Sequence, residues 1–176
     1  SSYINKLGSG FLADFPYGIS IGIHLSDSIV DHLIYHNDPN VQFIYTYHTY
    51  TVVTPRLDEI AFLIAQKLQR KGYTALALPS TYNPYIEKTS AIVSESDKLR
   101  SIFSHKLTAH LAGLGWIGKN CLLVTPEFGP RVRLTSVLTD APLPTGEPME
   151  DQCGDCNLCV QICPADAIRG RAFAPK

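Results

Sequence analysis

The sequence predicts an α+β fold, a mixed and partly antiparallel sheet with flanking helices over residues 1–140, joined by a linker at 141–152 to a short cysteine-rich segment at 153–176. Three observations predict it. Ile19, Ile21, Ile23 and Leu25 alternate with small or polar residues, as in a half-buried strand. Leu57, Ile60, Ala61, Ile64 and Leu68 repeat with the 3.6-residue period of an amphipathic helix. Strand and helix patterns then interleave as far as residue 140, and two strands look hairpin-connected, which argues against a purely parallel sheet.

Taken in order, Tyr17 to Leu25 is the first strand, and Ser26 or Asp27 caps a short helix through Ile34. Asp38, Pro39 and Asn40 punctuate, and Val41 to Val53 brings the aromatic residues Phe43, Tyr45, Tyr47 and Tyr50. Thr54-Pro55 reads as an N-cap followed by proline at the first helical position, and Gly72 as that helix's stop. Tyr73 to Leu78 is a strand closed by Pro79, and the aperiodic stretch Ser80 to Ser96 an irregular connection that covers a pocket. Ser104 and Gly113 bracket a second helix, with Leu107 and Leu111 facing inward. Strands Cys121 to Val124 and Arg131 to Leu138 follow, joined by the turn residues Pro126 to Pro130.

The most specific feature is the run Cys153, Cys156, Cys159, Cys163, Pro164, spaced C-x2-C-x2-C-x3-C-P as in the ferredoxins that hold 4Fe-4S clusters. These four cysteines are the metal-ligand candidates. A structural zinc site fits less well, because zinc ribbons separate two C-x2-C knuckles by a long loop. In two-cluster ferredoxins the fourth cysteine serves the other cluster. No second run is present, so either all four thiolates hold one cluster, or the chain is a fragment whose second half-motif lies beyond Lys176; the absence of an initial methionine favours the fragment. Gly154 and Leu158, between the ligands, are expected to admit backbone hydrogen bonds and exclude water.

With 176 residues, 45% of them hydrophobic, the chain has enough apolar mass for one globular domain with a small appendage. A formal charge of −1 gives no direct evidence of nucleic-acid binding, and no apolar stretch is long enough to span a membrane. The expectation is a cytoplasmic protein with thiols kept reduced.

A second informative block is Gly113-Leu114-Gly115-Trp116-Ile117-Gly118-Lys119-Asn120, in which three glycines surround the only tryptophan. It describes a helix end where backbone approaches something closely and amides point outward, as around a bulky cofactor or an anion. A plain helix cap leading into a strand, with Trp116 in the core, explains it equally well. Its order, helix before strand, is the reverse of the dinucleotide-binding fingerprint.

This block, continued to Leu143 and followed by the cysteine run, resembles the iron–sulfur, corrinoid-dependent reductases related to epoxyqueuosine reductase, and more distantly the reductive dehalogenases. The resemblance is strong from about Ser104 to Ile168. It implies a nitroreductase-like relative able to hold cobalamin, with a two-cluster ferredoxin-like module, an electron-donor protein of ferredoxin or flavodoxin type, and a small-molecule substrate. By position, Gly115, Trp116, Gly118 and Lys119 match the family's motif beside the cofactor cavity, and Asn120, a position that varies more, follows them as a further cofactor-binding candidate. The family's acidic proton donor falls near Leu99, where the nearest acid is Asp97, so Asp97, His105 and Lys106 are the candidate proton donors. The resulting expectation is an oxidoreductase passing low-potential electrons through a corrinoid to a substrate. A flavin enzyme and a carrier without a substrate of its own are the alternatives.

Lesser features have plainer readings. His32 and His36 are four apart but lack a partner for a metal, and the tyrosines at 45, 47 and 50 suit core or homodimer packing. Arg131 and Arg133 alternate on one strand, placed for a phosphate or simply for solvent, and Cys121 reads as a buried thiol opening a strand.

Overall fold

The computed structural model describes residues 14–80, 103–169 and 172–173. Its centre is a three-stranded sheet in the order β1 (Tyr17–His24), β5 (Val132–Thr139), β2 (Ala75–Leu78). Both pairings are antiparallel, with Ile19 opposite Val137 and Ala77 opposite the same Val137 from the other side. Every strand pair among the described residues is antiparallel, so the expected mixture of directions is absent there.

Period-two alternation gives each side of the sheet its own helix. The odd-numbered residues of β1 meet α3 (Thr54–Arg70), whose Leu57, Ala61 and Ala65 are buried against Ala75, Val137 and Leu25. Small residues on this face let helix and sheet approach closely. Ile64 and Leu68 pack at the margin as the stripe predicts, whereas Ile60 is 38% exposed because it lies one step outside the contact arc. The even-numbered residues face α4 (His105–Leu111), and Gly18 sits under Thr108, whose methyl a Cβ there would meet at 3.4 Å.

The helical half departs from expectation at Thr54. The sequence predicts an N-cap, but Thr54 has helical angles (φ −56°, ψ −50°), and the chain coils without interruption from α2 (Pro39–Thr46) through a π-helical stretch, Tyr47–Val53, into α3. Pro55 explains the widened stretch. It lacks an N–H, and its ring would collide with the carbonyl four residues back. A π-bulge moves that carbonyl aside. The Thr54 amide and hydroxyl both donate to Thr49 O, the hydroxyl at 2.9 Å. The true cap is Asp38, whose carboxylate accepts from the Asn40 amide at 2.8 Å, with Pro39 at the first helical position.

Helices α3 and α4 stop by one device. Gly72 (φ +89°) and Gly113 (φ +79°) take the left-handed conformation, with Tyr73 N–H bonding Leu68 O and Leu114 N–H bonding Ala109 O. Each is a Schellman motif that uses the last orphan carbonyls. In α4, Ser104 caps as predicted, accepting from Leu107 N–H at 3.3 Å. The inward residue is Ala109, fully buried, while Leu107 and Leu111 are 51% and 53% exposed, the reverse of the expectation.

The expected hairpin between residues 121–124 and 131–138 does not form. Strand β4 (Leu123–Val124) pairs with β3 (Trp116–Ile117), and residues 125–129 close a local turn before the chain crosses to β5 in the main sheet. Helix α1 (Asp27–Asp31) has no fully buried residue, although Val30 packs partly buried against the cluster of Leu25, Val53 and Leu57, and is followed by a 3-10 turn, His32–Tyr35. It is tied to the sheet by Arg131, which reaches Asp27 at 2.8 Å and Asp31 at 2.7 Å. Arg131 holds the Asp27 carboxyl below the usual carboxylate range, and Asp27 and Asp31 raise Arg131 in turn.

Candidate functional site

The β3–β4 hairpin and the turn between its strands bring the glycine-tryptophan block onto the cysteine run. Gly115 is buried so tightly that a Cβ there would stand 2.2 Å from Val124 O. The turn folds back through Gly118 N–H to Leu122 O and Cys121 N–H to Gly118 O, both at 2.9 Å, while the Asn120 carboxamide accepts from Leu122 N–H at 3.1 Å. The amides expected to point outward at Gly113, Leu114 and Gly118 are therefore spent inside the fold. What the turn presents instead are side chains.

Trp116, 9% exposed, directs its indole N–H to Cys153 Sγ at 3.4 Å. The Lys119 ammonium reaches Gly154 O and Cys156 O at 2.8 Å and Asn157 Oδ1 at 3.0 Å. From the other side, the Asp151 carboxylate accepts from the Cys153 amide at 2.8 Å, an Asx turn that shapes the entry to the loop. Cys153 O then accepts from Cys156 N–H, and Gly154 supplies a left-handed φ of +48°. Cys159 lies in the short helix α5 (Leu158–Gln161), and Cys163 follows it. Cys163 Sγ accepts from the Ala167 amide at 3.4 Å, and this amide with that of Ala165 pulls the thiol below its ordinary pKa. The small hairpin of β6 (Ile168–Arg169) and β7 (Ala172–Phe173) closes the segment.

A cleft of about 400 Å³ opens beside this contact, lined by His110, Trp116, Ile117, Gly118, Cys121, Met149 and Asp151. The segment before the cysteines forms part of its wall. A Cβ on Gly146 would stand 2.2 Å from Ala112 O, so this stretch passes tightly over the end of α4.

The predicted site residues divide. Trp116, Gly118, Lys119 and Cys153 meet at the contact, and Asn120 shapes the turn behind it. Lys106 is nearby, with its ammonium on Cys121 O at 2.7 Å. His105 is elsewhere, bridging Ser136 Oγ at 2.9 Å and Pro79 O at 3.0 Å. Because Pro79 O only accepts, Nε2 carries the proton and Nδ1 accepts from Ser136 in the neutral ring. Burial pushes this imidazole below its ordinary pKa, partly opposed by Pro79 O and Asp58. Asp97 and nearly all of the stretch 80–96 lie outside the described residues.

Sequence reasoning missed His110, Met149 and Asp151 as cleft residues. Asp151 carried a signal, an Asp two residues before the first cysteine. Cys121 is not in a strand: it stands at φ +61° in the turn, half-buried, on the cleft. Leu158 is 66% exposed. Arg133 lies over the Tyr50 ring at 4.6 Å, so its charge faces an aromatic, not bulk solvent. His32 and His36 are separated by the 3-10 turn, whose period takes them off a common face.

No three described His, Cys, Asp or Glu side chains stand close enough to hold an ion together. The fit to a cluster rests on the donor set itself, four thiols at ferredoxin spacing, and on the N–H groups directed at the sulfurs of Cys153 and Cys163.

Comparison with known proteins agrees. The 4Fe-4S binding domain family matches residues 147–169. The chain is 43% identical over 83 residues to the epoxyqueuosine reductase of Bacillus anthracis, a match covering 47% of this chain and 22% of that protein. It is 32% identical over 136 residues to that of Vibrio cholerae, covering 75% of this chain and 31% of the relative. The matches thus span less than a third of the length of these curated relatives. Two solved structures share the fold. One is an epoxyqueuosine reductase with a tRNA-Tyr epoxyqueuosine-modified stem loop, at a TM-score of 0.52, 18% identity, and coverage of 95% of this chain and 52% of that one. The other is the Bacillus subtilis epoxyqueuosine reductase, at a TM-score of 0.51 with the same identity and coverage. The chain is an iron–sulfur, epoxyqueuosine reductase-like protein. No helix among the described residues is long and apolar enough to cross a membrane.

Proposed function

We propose that this epoxyqueuosine reductase-like chain belongs to a cytoplasmic oxidoreductase in which electrons leave a 4Fe-4S cluster on the cysteine run and enter a group held in the cleft at Trp116. The supporting observation is the bond between the Trp116 indole and Cys153 Sγ, which makes one side chain both a cleft wall and a neighbour of a cluster ligand. A pure carrier needs no such cleft. Its volume lies within the roughly 300–1,000 Å³ of small-molecule sites and would admit one edge of a large macrocycle. A corrinoid is the reading we favour, with Trp116, Ile117 and Gly118 as its wall and Gly115 buried behind them, and flavin the second choice. When bound, these groups supply one-electron transfer at low potential and reduction at cobalt or at the flavin ring.

The chain's own residues would supply position and protons. His110 Nδ1 pairs with Gly115 O at 3.0 Å, which fixes the neutral tautomer with its lone pair on Nε2. That places an acid–base group on the cleft wall, a role for which the sequence offered Asp97, His105 and Lys106. Lys106 keeps a claim through its place beside Cys121. A small molecule is one substrate class. A modified nucleoside within RNA is the other, from the relative solved with a tRNA stem loop.

The test is anaerobic reconstitution of the full-length protein with iron, sulfide and cob(II)alamin, followed by electron paramagnetic resonance. We expect reducible 4Fe-4S signals and a cobalt signal altered by the protein and lost in Trp116→Ala. Clusters beside an unperturbed cobalt signal, with no flavin bound, would leave only an electron carrier.

A further inference from the structure

Lys119 is placed by the family resemblance beside a cofactor cavity, yet its ammonium is committed elsewhere. An ammonium has three hydrogens and no acceptor. Here all three are matched, by Gly154 O, Cys156 O and Asn157 Oδ1, and all three acceptors belong to the loop that carries the first two cysteines. Bonds from a charged donor are about twice as strong as neutral ones. Lys119 is half-buried and does not line the cleft. Three residues earlier on the same segment, Trp116 gives its N–H to Cys153 Sγ. Between them, a Cβ on Gly118 would stand 2.9 Å from Asn120 Oδ1 and from Val124 Cγ2, so glycine keeps the turn compact, while Cys153 Sγ, at 3.7 Å, is an ordinary neighbour.

We infer that Trp116 and Lys119 form a clamp that positions the cysteine loop and sets the reduction potential of the cluster it carries, Lys119 acting on the loop and not on a ligand in the cleft. The inference rests on the 4Fe-4S reading of the cysteine run. A cluster gains negative charge on reduction, and net charge and hydrogen bonds to sulfur are among the determinants of its potential. A fixed cation against the loop and an N–H on a ligand sulfur both favour the reduced state, so both raise the potential. The Asp151 carboxylate, bonded to the Cys153 amide, acts in the opposite sense. Trp116 and Gly118 also line the cleft, so occupancy of the cleft and the potential of the cluster are coupled, and each must shift the other.

The experiment is a potentiometric titration of the reconstituted full-length protein, followed by electron paramagnetic resonance, in wild type, Trp116→Phe, Lys119→Met and Lys119→Arg. Phe keeps an aromatic ring, smaller than the indole, and removes the N–H; Met keeps the stem and removes the charge. The expected result is a lower midpoint in Trp116→Phe and Lys119→Met, with Lys119→Arg nearer wild type. Failure of Lys119→Met to assemble a cluster that Lys119→Arg does assemble supports the clamp equally. Wild-type midpoints in all three variants overturn it, as does a Lys119→Met protein whose only change is weaker binding in the cleft. A wild-type protein that assembles no cluster overturns the 4Fe-4S reading itself.

Discussion

Gly115 lies beneath the carbonyl of Val124 at a distance that leaves no room for a side chain: a Cβ would come within 2.2 Å of that oxygen and 3.1 Å of Thr125 Cα. The obstacle is backbone, so relief requires moving a strand. Gly115→Ala is expected to splay the β3–β4 hairpin and cost about 1–3 kcal/mol, the usual range for overpacking. Gly22→Ala is the control, since its Cβ would meet the Leu134 side chain at 3.4 Å and the Arg133 carbonyl at an unstrained 3.9 Å. Urea unfolding of both variants, with the iron content retained on reconstitution, checks the difference: Gly115→Ala should lose both and Gly22→Ala neither.

Thr49 is fully buried in the π-helical stretch, and among the described residues its hydroxyl has no hydrogen-bond partner. Leaving a buried donor unsatisfied costs about 1–3 kcal/mol. Valine has nearly the same shape and no polar atom. Thr49→Val is therefore expected to raise the urea midpoint, by an amount equivalent to about 1 kcal/mol. Thr49→Ser keeps the hydroxyl and loses a methyl, and should lower it.

His105 carries a pH dependence with a definite sign. Burial lowers its pKa in the folded chain, so the unfolded chain binds the proton more readily. Its contribution to stability is complete above the unfolded value of about 6.5 and is lost as pH falls through the lowered folded value. Urea titrations at a series of pH values should therefore show wild type losing more stability than His105→Gln on acidification below about 6.5. Parallel curves would show that His105 contributes no pH dependence.

The reversed facing of α4 is checked by truncating leucines. Leu57→Ala, at a fully buried position, is expected to cost 2–5 kcal/mol, roughly the range for core leucines. Leu107→Ala, at a half-exposed position, should fall within about 0.5 kcal/mol of wild type. A large loss at Leu107 would restore the inward facing expected from the sequence.

Local pattern carried a good part of this fold. The β1 alternation, the α3 stripe, Ser104 as a cap and both terminating glycines are signals spread over a few residues, and each appears where its chemistry requires. What failed depended on distant partners. Nothing near Val124 says that it pairs with Trp116 and not with β5, and nothing near Thr54 says that Pro55 will be absorbed by a π-bulge instead of starting a helix. Leu107 misleads because hydrophobicity alone does not fix burial: α4 turns Ala109, fully buried, inward and leaves Leu107 half-exposed. In the site, the cysteines were legible from spacing alone. The role of Lys119 was not, because its partners lie 35 to 38 positions further along the chain.

Residues 153–163 look in the sequence like a portable cassette, a ligand run ready to be excised or transplanted. The carbonyls of Gly154 and Cys156 and the side chain of Asn157 take their donor from Lys119, far upstream. Removed from that donor, the loop would have to find water for the same groups and would lose the restraint on its shape. A graft of this run onto another scaffold therefore carries the four cysteines but not the cation that holds their loop, and a substitution at position 119 alters the setting of that loop without touching the cysteine segment.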